Sequence, residues 1–240
     1  MDTTYSITIK NRSQGPLSFL LFQSIPKPDQ IPGSEVFSNV YQRAVNIAGN
    51  NEAKASFEIS SEVFVIHGTS NRTEDGVVKV QTSDFREVKL GPGGSKIFLT
   101  TEDSNGRSAK FDKDDHSTEA QGAFTVVCDK TLPFPRNADN MYFGVGAKVP
   151  STGEIVPVQT YRAMPQLTVH VFPKIKYYIA FGSYQPGSIV NLMTLARVLT
   201  VDFTGCKDHS ATFTLDEDNF FIPDREVQAS DITWSVGSLY

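Results

Sequence analysis

Phe64-Val-Ile-His-Gly-Thr-Ser70 and Tyr178-Ile-Ala-Phe-Gly-Ser-Tyr184 carry one pattern twice in a single chain: a ring, aliphatic residues, a second ring, glycine, then a hydroxyl. Both runs are short, apolar and bounded by turn-forming residues, the composition that suits a pleated sheet. Three further landmarks recur in the same order. Ser24-Ile-Pro26 matches Lys148-Val-Pro150, Arg43-Ala44 matches Arg162-Ala163, and Lys96-Ile-Phe-Leu-Thr-Thr-Glu-Asp103 matches Ala211-Thr-Phe-Thr-Leu-Asp-Glu-Asp218. The offsets drift only by loop lengths, which points to a duplicated unit of roughly 110–120 residues.

Strand signals continue outward from these landmarks. In the first half they cover 5–10, 17–23, 36–45, 63–67, 77–82 and 97–101. In the second they cover 124–128, 141–145, 167–172, 177–181, 189–192, 198–203 and 211–215. Turn clusters such as Gly91-Pro-Gly-Gly94, Asn137-Ala-Asp-Asn140 and Gln185-Pro-Gly187 separate them. Only 118–122 and the tail after Pro223 read as helical or irregular. The expected fold is all-β: an antiparallel β-sandwich built of two duplicated, packed halves. The expected division is 1–116 for the first repeat, 117–218 for the second, and 219–240 for a C-terminal extension.

Composition narrows the function classes. At 240 residues and 39% hydrophobic content, the chain can bury a core without disulfides or metals. The net charge is −5 and the Lys and Arg residues are scattered singly, so nucleic acid and anionic membrane surfaces are poor partners. No apolar run is long enough to span a bilayer, and Met1-Asp-Thr-Thr-Tyr-Ser6 lacks the features of a signal peptide. A cytoplasmic location follows as the expectation, with Cys128 and Cys206 as two reduced thiols.

No motif for a nucleotide, flavin or catalytic serine is present, so no cofactor is expected. The histidines at 67, 116, 170 and 209 lie far apart, with no cysteine at ligand spacing. The acidic runs Asp103-x-Asn105-Gly106, Asp112-x-Asp114-Asp115 and Asp216-Glu-Asp218-Asn219 lack a distal bidentate glutamate and read as solvated edge charges. No metal site is expected.

Val36-Phe-Ser-Asn-Val-Tyr-Gln-Arg43 is the richest candidate stretch. Strand alternation would put Phe37, Asn39, Tyr41 and Arg43 on one face and the valines on the other. Apolar walls with a few aimed polar groups suit a ligand pocket, and Tyr161 and Arg162 repeat the aromatic–arginine pair in the second copy. An outer face with Arg laid on Tyr is the structural alternative. His67 stands where the second copy has Phe181, so an imidazole replaces a ring that packing alone would accept. A core histidine bonded to backbone is the alternative there. Trp234 lies in the extension, as an anchor for the tail or a lid over a cleft.

Tyr5-Ser-Ile-Thr-Ile-Lys-Asn-Arg-Ser13, Phe19-Leu-Leu-Phe22, Ser38-Asn-Val40 and Lys176-Tyr-Tyr-Ile-Ala-Phe-Gly-Ser-Tyr184 give the chain a resemblance to a group of all-β proteins of filamentous fungi and bacteria. These motifs bear on fold, and the resemblance supplies no catalytic residue to carry over. It implies by analogy a cyclase of natural-product pathways, of the kind that catalyses hetero-Diels–Alder reactions. The expected function is then a cofactor-independent cyclase or isomerase acting on an apolar polycyclic small molecule. Tyr41, Arg43 and His67 would be its donors, and Phe37, Asn39, Tyr161, Arg162 and Trp234 would bind substrate. The alternative is a lectin-like or small-ligand-binding sandwich without chemistry, using loops such as Asp139-Asn-Met-Tyr142.

Overall fold

Alternating apolar residues become paired strands throughout the computed structural model, which describes residues 3–50, 53–101, 108–113, 116–132, 141–195 and 197–239. The acidic positions 103–106 and 114–115 and the loop 137–140 lie outside the described residues. The first strands are β1 (Thr4–Asn11), β2 (Leu17–Gln23), β3 (Val36–Ser38), β4 (Gln42–Ile47), β5 (Ala53–Ser60), β6 (Phe64–Arg72), β7 (Val78–Glu87), β8 (Gly94–Thr101) and β9 (Ala109–Phe111). There follow β10 (His116–Thr118), β11 (Phe124–Cys128), β12 (Met141–Lys148), β13 (Ile155–Arg162), β14 (Thr168–Val171) and β15 (Lys176–Phe181). The chain ends with β16 (Val198–Asp202), β17 (Ser210–Leu215), β18 (Phe221–Pro223), α1 (Arg225–Ala229) and β19 (Thr233–Gly237).

Four sheets result, with orders β18-β17-β1-β5, β10-β8-β11-β14 (β9 also on β8), β3-β13-β12-β6-β7 and β19-β16-β15-β2-β4. The fold is an all-β, sandwich-like arrangement around one main core. Ile7 and Phe57, Val126 and Ile97, Phe143 and Val65, and Phe19 and Tyr177 reach that core from the four sheets in turn. Strand β5 shows the cause plainly: Ala55, Phe57 and Ile59 are buried while Lys54, Ser56 and Glu58 face water. Among the described residues, no helix is long and apolar enough to cross a membrane.

The pairing pattern repeats itself. Strand β1 lies between antiparallel β5 and parallel β17, and β11 lies between antiparallel β14 and parallel β8. Strand β2 lies between β4 and β15 with β16 beyond, and β12 lies between β13 and β6 with β7 beyond. Registers agree as well. Phe181 faces Phe19 where His67 faces Phe143, and Leu215 faces Phe221 where Leu99 faces Phe111. The last alignment sits one residue out of step with the sequence match of 103 to 218. Each sheet takes strands from both 1–116 and 117–218.

Three local expectations differ. The run 36–45 is broken: β3 joins β13 in one sheet, β4 joins β2 in another, and 39–41 crosses between them. Instead of a strand over 189–192 there is an isolated bridge between Asn39 and Ile189 and a 3-10 turn at Leu192–Thr194. The tail after Pro223, expected as helical or irregular, holds the short helix α1, which Asp224 caps by accepting from the amides of Glu226 and Val227, and differs only in the added strand β19 on β16.

Candidate functional site

The sequence candidates separate on folding. Asn39 is fully buried; its Oδ1 accepts from Thr160 Oγ1 at 2.9 Å and its Nδ2 donates to the Gly187 carbonyl at 3.0 Å. It therefore ties 36–40 to β13 and to the segment that follows β15. Tyr41 enters the main core and donates its hydroxyl to the Lys148 carbonyl at 2.5 Å. Tyr161 donates to Gln159 Oε1 at 2.5 Å, also inside the core. Burial raises the pKa of both phenols above the usual value.

The other candidates lie elsewhere. Arg43 donates to the Ser183 carbonyl at 3.1 Å near the surface, and Arg162 Nε sits 3.0 Å from Glu35 Oε2. Phe37 packs edge-on against Tyr142, and Trp234, 39% exposed on β19, packs edge-on against Phe213. Phe37, Asn39, Tyr41 and Arg43 thus share no common face, because the chain changes sheets between β3 and β4. The consecutive residues Asn39, Val40 and Tyr41 are all buried.

His67 is different: it borders a cleft of about 340 Å³ that none of the other seven candidates lines. The imidazole is only 5% exposed. Its Nε2 lies 3.9 Å from Asp84 Oδ2, and its ring meets Phe111 edge-on with centroids 4.7 Å apart. Arg86 stands over the same phenyl ring at 5.4 Å and donates to the Asp112 carbonyl. Thr69, Ser83, Ser108 and Lys110 add hydroxyls and an ammonium to the cleft, and Met141 adds an apolar wall.

A β-bulge shapes this place. The β6–β7 ladder pairs His67 with Asp84 and then Gly68 with Thr82, leaving Ser83 unmatched. A Cβ at Gly68 would fall 2.0 Å from the Gln81 carbonyl oxygen, so glycine is required where the strands close up. Bulges re-aim the side chains around them, and here Ser83 and Asp84 both line the cleft. In the corresponding ring pair, Phe181 stacks on Phe221 with centroids 5.6 Å apart and planes at 7°. One of the two matching ladders therefore has two phenyl rings where the other has an imidazole and a phenyl.

An imidazole can donate a hydrogen bond to a carbonyl or hydroxyl oxygen. Sequence patterning reaches His67 through its contrast with Phe181. It misses Ser83, Asp84 and Phe111, which arrive by way of a bulge and a strand of another sheet. The remaining histidines are dispersed: His116 Nε2 is 3.1 Å from Asp112 Oδ2, and His170 Nδ1 is 2.9 Å from Thr125 Oγ1. Among the described residues no cluster of three His, Cys, Asp or Glu side chains is placed to hold a metal ion. Cys128 and Cys206 are free thiols, and burial pushes the Cys128 thiol up to about 12.

A family model, RhiA, matches residues 2–225. No curated protein and no solved structure matches the chain.

Proposed function

The chain belongs to the RhiA family, and we propose that it binds a small organic ligand carrying a carbonyl or hydroxyl oxygen in the cleft beside His67 and Asp84. What supports the reading is the imidazole itself. The duplicate position is satisfied by a phenyl ring, so packing has no need of a titratable, hydrogen-bonding group here. The cleft around it is open and mixes hydroxyls, charges and a thioether, a lining that suits orienting a ligand by a few polar contacts.

Cofactor-independent cyclisation or isomerisation is a second reading, favoured by the proximity of Asp84 to the imidazole. A donor aimed at a carbonyl oxygen draws charge from a conjugated enone, and a shaped wall holds reacting carbons near one another. A lectin-like role without turnover would use the same hydroxyls.

The test is His67→Phe, which installs the ring of the other copy. Wild type and variant are titrated with small ketones, hydroxy acids and monosaccharides while backbone amide shifts are followed. Each is also incubated with a tethered diene–enone for product formation. The variant should fold normally and lose binding about tenfold or more, equivalent to one charge-assisted or neutral hydrogen bond. Equal binding by the two proteins would remove His67 from the site.

A further inference from the structure

The sheet containing β6 and β12 has a second face, turned away from the main core, with its own small apolar cluster of Phe64, Ile66 and Ile155. The corresponding sheet fills that face with Leu20, Phe22, Ala180 and Val198, which cluster with Val40 and Val190. The registers Phe19–Phe181 and Phe143–His67 put Gly144 and Gly146 at the positions of Leu20 and Phe22. A Cβ at Gly144 would lie 2.1 Å from the Gln159 carbonyl oxygen, and one at Gly146 would lie 2.5 Å from Ile66 Cγ2.

These glycines let neighbouring backbone and side chains close in on β12 where the other sheet carries bulk. Strands β7 and β13 are separated by two strands in the sheet, yet Thr82 Oγ1 donates to the Ile155 carbonyl at 3.0 Å. A cleft of about 670 Å³ opens where they converge. Glycine weakens a strand interior, so two of them in β12 mark a place where backbones or a ligand must approach closely.

We propose that this cleft is a second binding site, distinct from that of His67, for a neutral oligosaccharide. Strand alternation sets His67 on the opposite face of β6 from Ile66 and Phe64, and Ser83 is the residue that borders both clefts. Phe85 is 48% exposed, and its ring is held edge-on against Phe64. It offers a flat apolar surface for the C–H face of a pyranose. Around it, Gln81 and Thr82 supply neutral donors and acceptors, while Lys79 and Glu154 contribute one charge of each sign. A ligand rimmed with hydroxyls uses both kinds of group, whereas a strongly charged one would meet a like charge on either wall.

Soluble tetrasaccharides of glucose, mannose and galactose are the probes, with amide shifts of the full chain as the readout. At least one should shift Gln81, Phe85 and Glu154. Phe85→Ser removes an exposed ring and should weaken binding about tenfold, the scale of one aromatic contact. Gln81→Ala should weaken it less, and His67→Phe should leave it unchanged. The assignment is overturned if no tetrasaccharide binds, if Phe85→Ser binds like wild type, or if His67→Phe abolishes binding. The last outcome would make the two clefts a single site. Ketone or hydroxy-acid binding at the His67 cleft is scored separately, so failure of one site does not decide the other.

Discussion

The sheet β4-β2-β15-β16 is filled on its outer face, and the sheet β13-β12-β6-β7, whose strands have the same neighbours in the same senses, is hollowed. Leu20 and Phe22 in the first stand opposite Gly144 and Gly146 in the second, and Phe181 stands opposite His67. Apolar bulk on both faces of the first sheet stabilises it by burial. Where glycine replaces that bulk, neighbouring strands pack closely on β12, and clefts open along the adjoining β7 edge. Both clefts beside this sheet touch Ser83, the residue of the β6–β7 bulge, which has no counterpart in the β15–β16 ladder.

The comparison presupposes two copies interleaved, and the largest expected effect tests that directly. Strands β1, β2, β6 and β8 pair with β17, β15, β12 and β11, all from the other half. We propose that 1–116 and 117–218 are duplicated units that fold only together. Residues 1–116 expressed alone should give a disordered circular dichroism spectrum. Co-expression with 117–240 should restore a soluble complex. An independently folded 1–116 would end the interleaving.

Filling against hollowing is tested next. Phe22→Ala removes a fully buried ring from the filled sheet and should cost about 3–5 kcal/mol in urea denaturation. Phe85→Ser, on the hollowed sheet, should stay within about 0.5–1 kcal/mol because half of its ring already faces water. Similar losses at the two positions would mean that the hollowed face is packed after all.

Alkaline pH probes both sheets at once. Tyr177 on β15 and Tyr161 on β13 are buried, as is Tyr41 between the sheets, and burial raises all three pKa values. Unfolded tyrosine ionises near 10. Below that pH the neutral phenols keep their full contribution. Above it the unfolded chain ionises while the native rings resist. Stability should therefore fall as pH rises past about 10, by roughly 1.4 kcal/mol per unit for each ring and about 4 for the three. Denaturation midpoints between pH 9 and 11, with absorbance at 295 nm, read this out. A flat profile would mean that the phenols ionise in the folded protein.

The matching strands were legible because β6 and β15 carry the same apolar alternation, which leaves the same trace at 64–70 and 178–184. The hollowed face was far less legible. Gly144-Val-Gly146 is plain in the sequence, but its meaning depends on which residue of β2 it corresponds to, and pairing supplies that. The stretch 36–43 misled for a physical reason. A period of two assumes one sheet with one buried face, whereas Asn39, Val40 and Tyr41 are buried in succession as the chain passes between sheets. Tyr41 and Tyr161 consequently serve the core, with their hydroxyls spent on Lys148 and Gln159.

A small expected change in stability is the most informative about function. His67→Phe and Phe181→His exchange the two rings that distinguish the copies. A phenyl at 67 keeps a ring against Phe111, as Phe181 keeps one against Phe221 in a stacked rather than edge-on pair, so the fold should tolerate it within about 1 kcal/mol. The reverse exchange places an imidazole against Phe221, where the present partner ring is a stacked phenyl, and should cost about 1–3 kcal/mol, the penalty for burying a poorly bonded polar group. Thermal melts of both variants establish the asymmetry, and ligand titration gives it meaning. Lost binding with unchanged stability in His67→Phe would assign the imidazole to the ligand. A destabilisation of 67 as large as that of 181 would instead make His67 part of the packing, held by Asp84 and Phe111 for structural reasons alone.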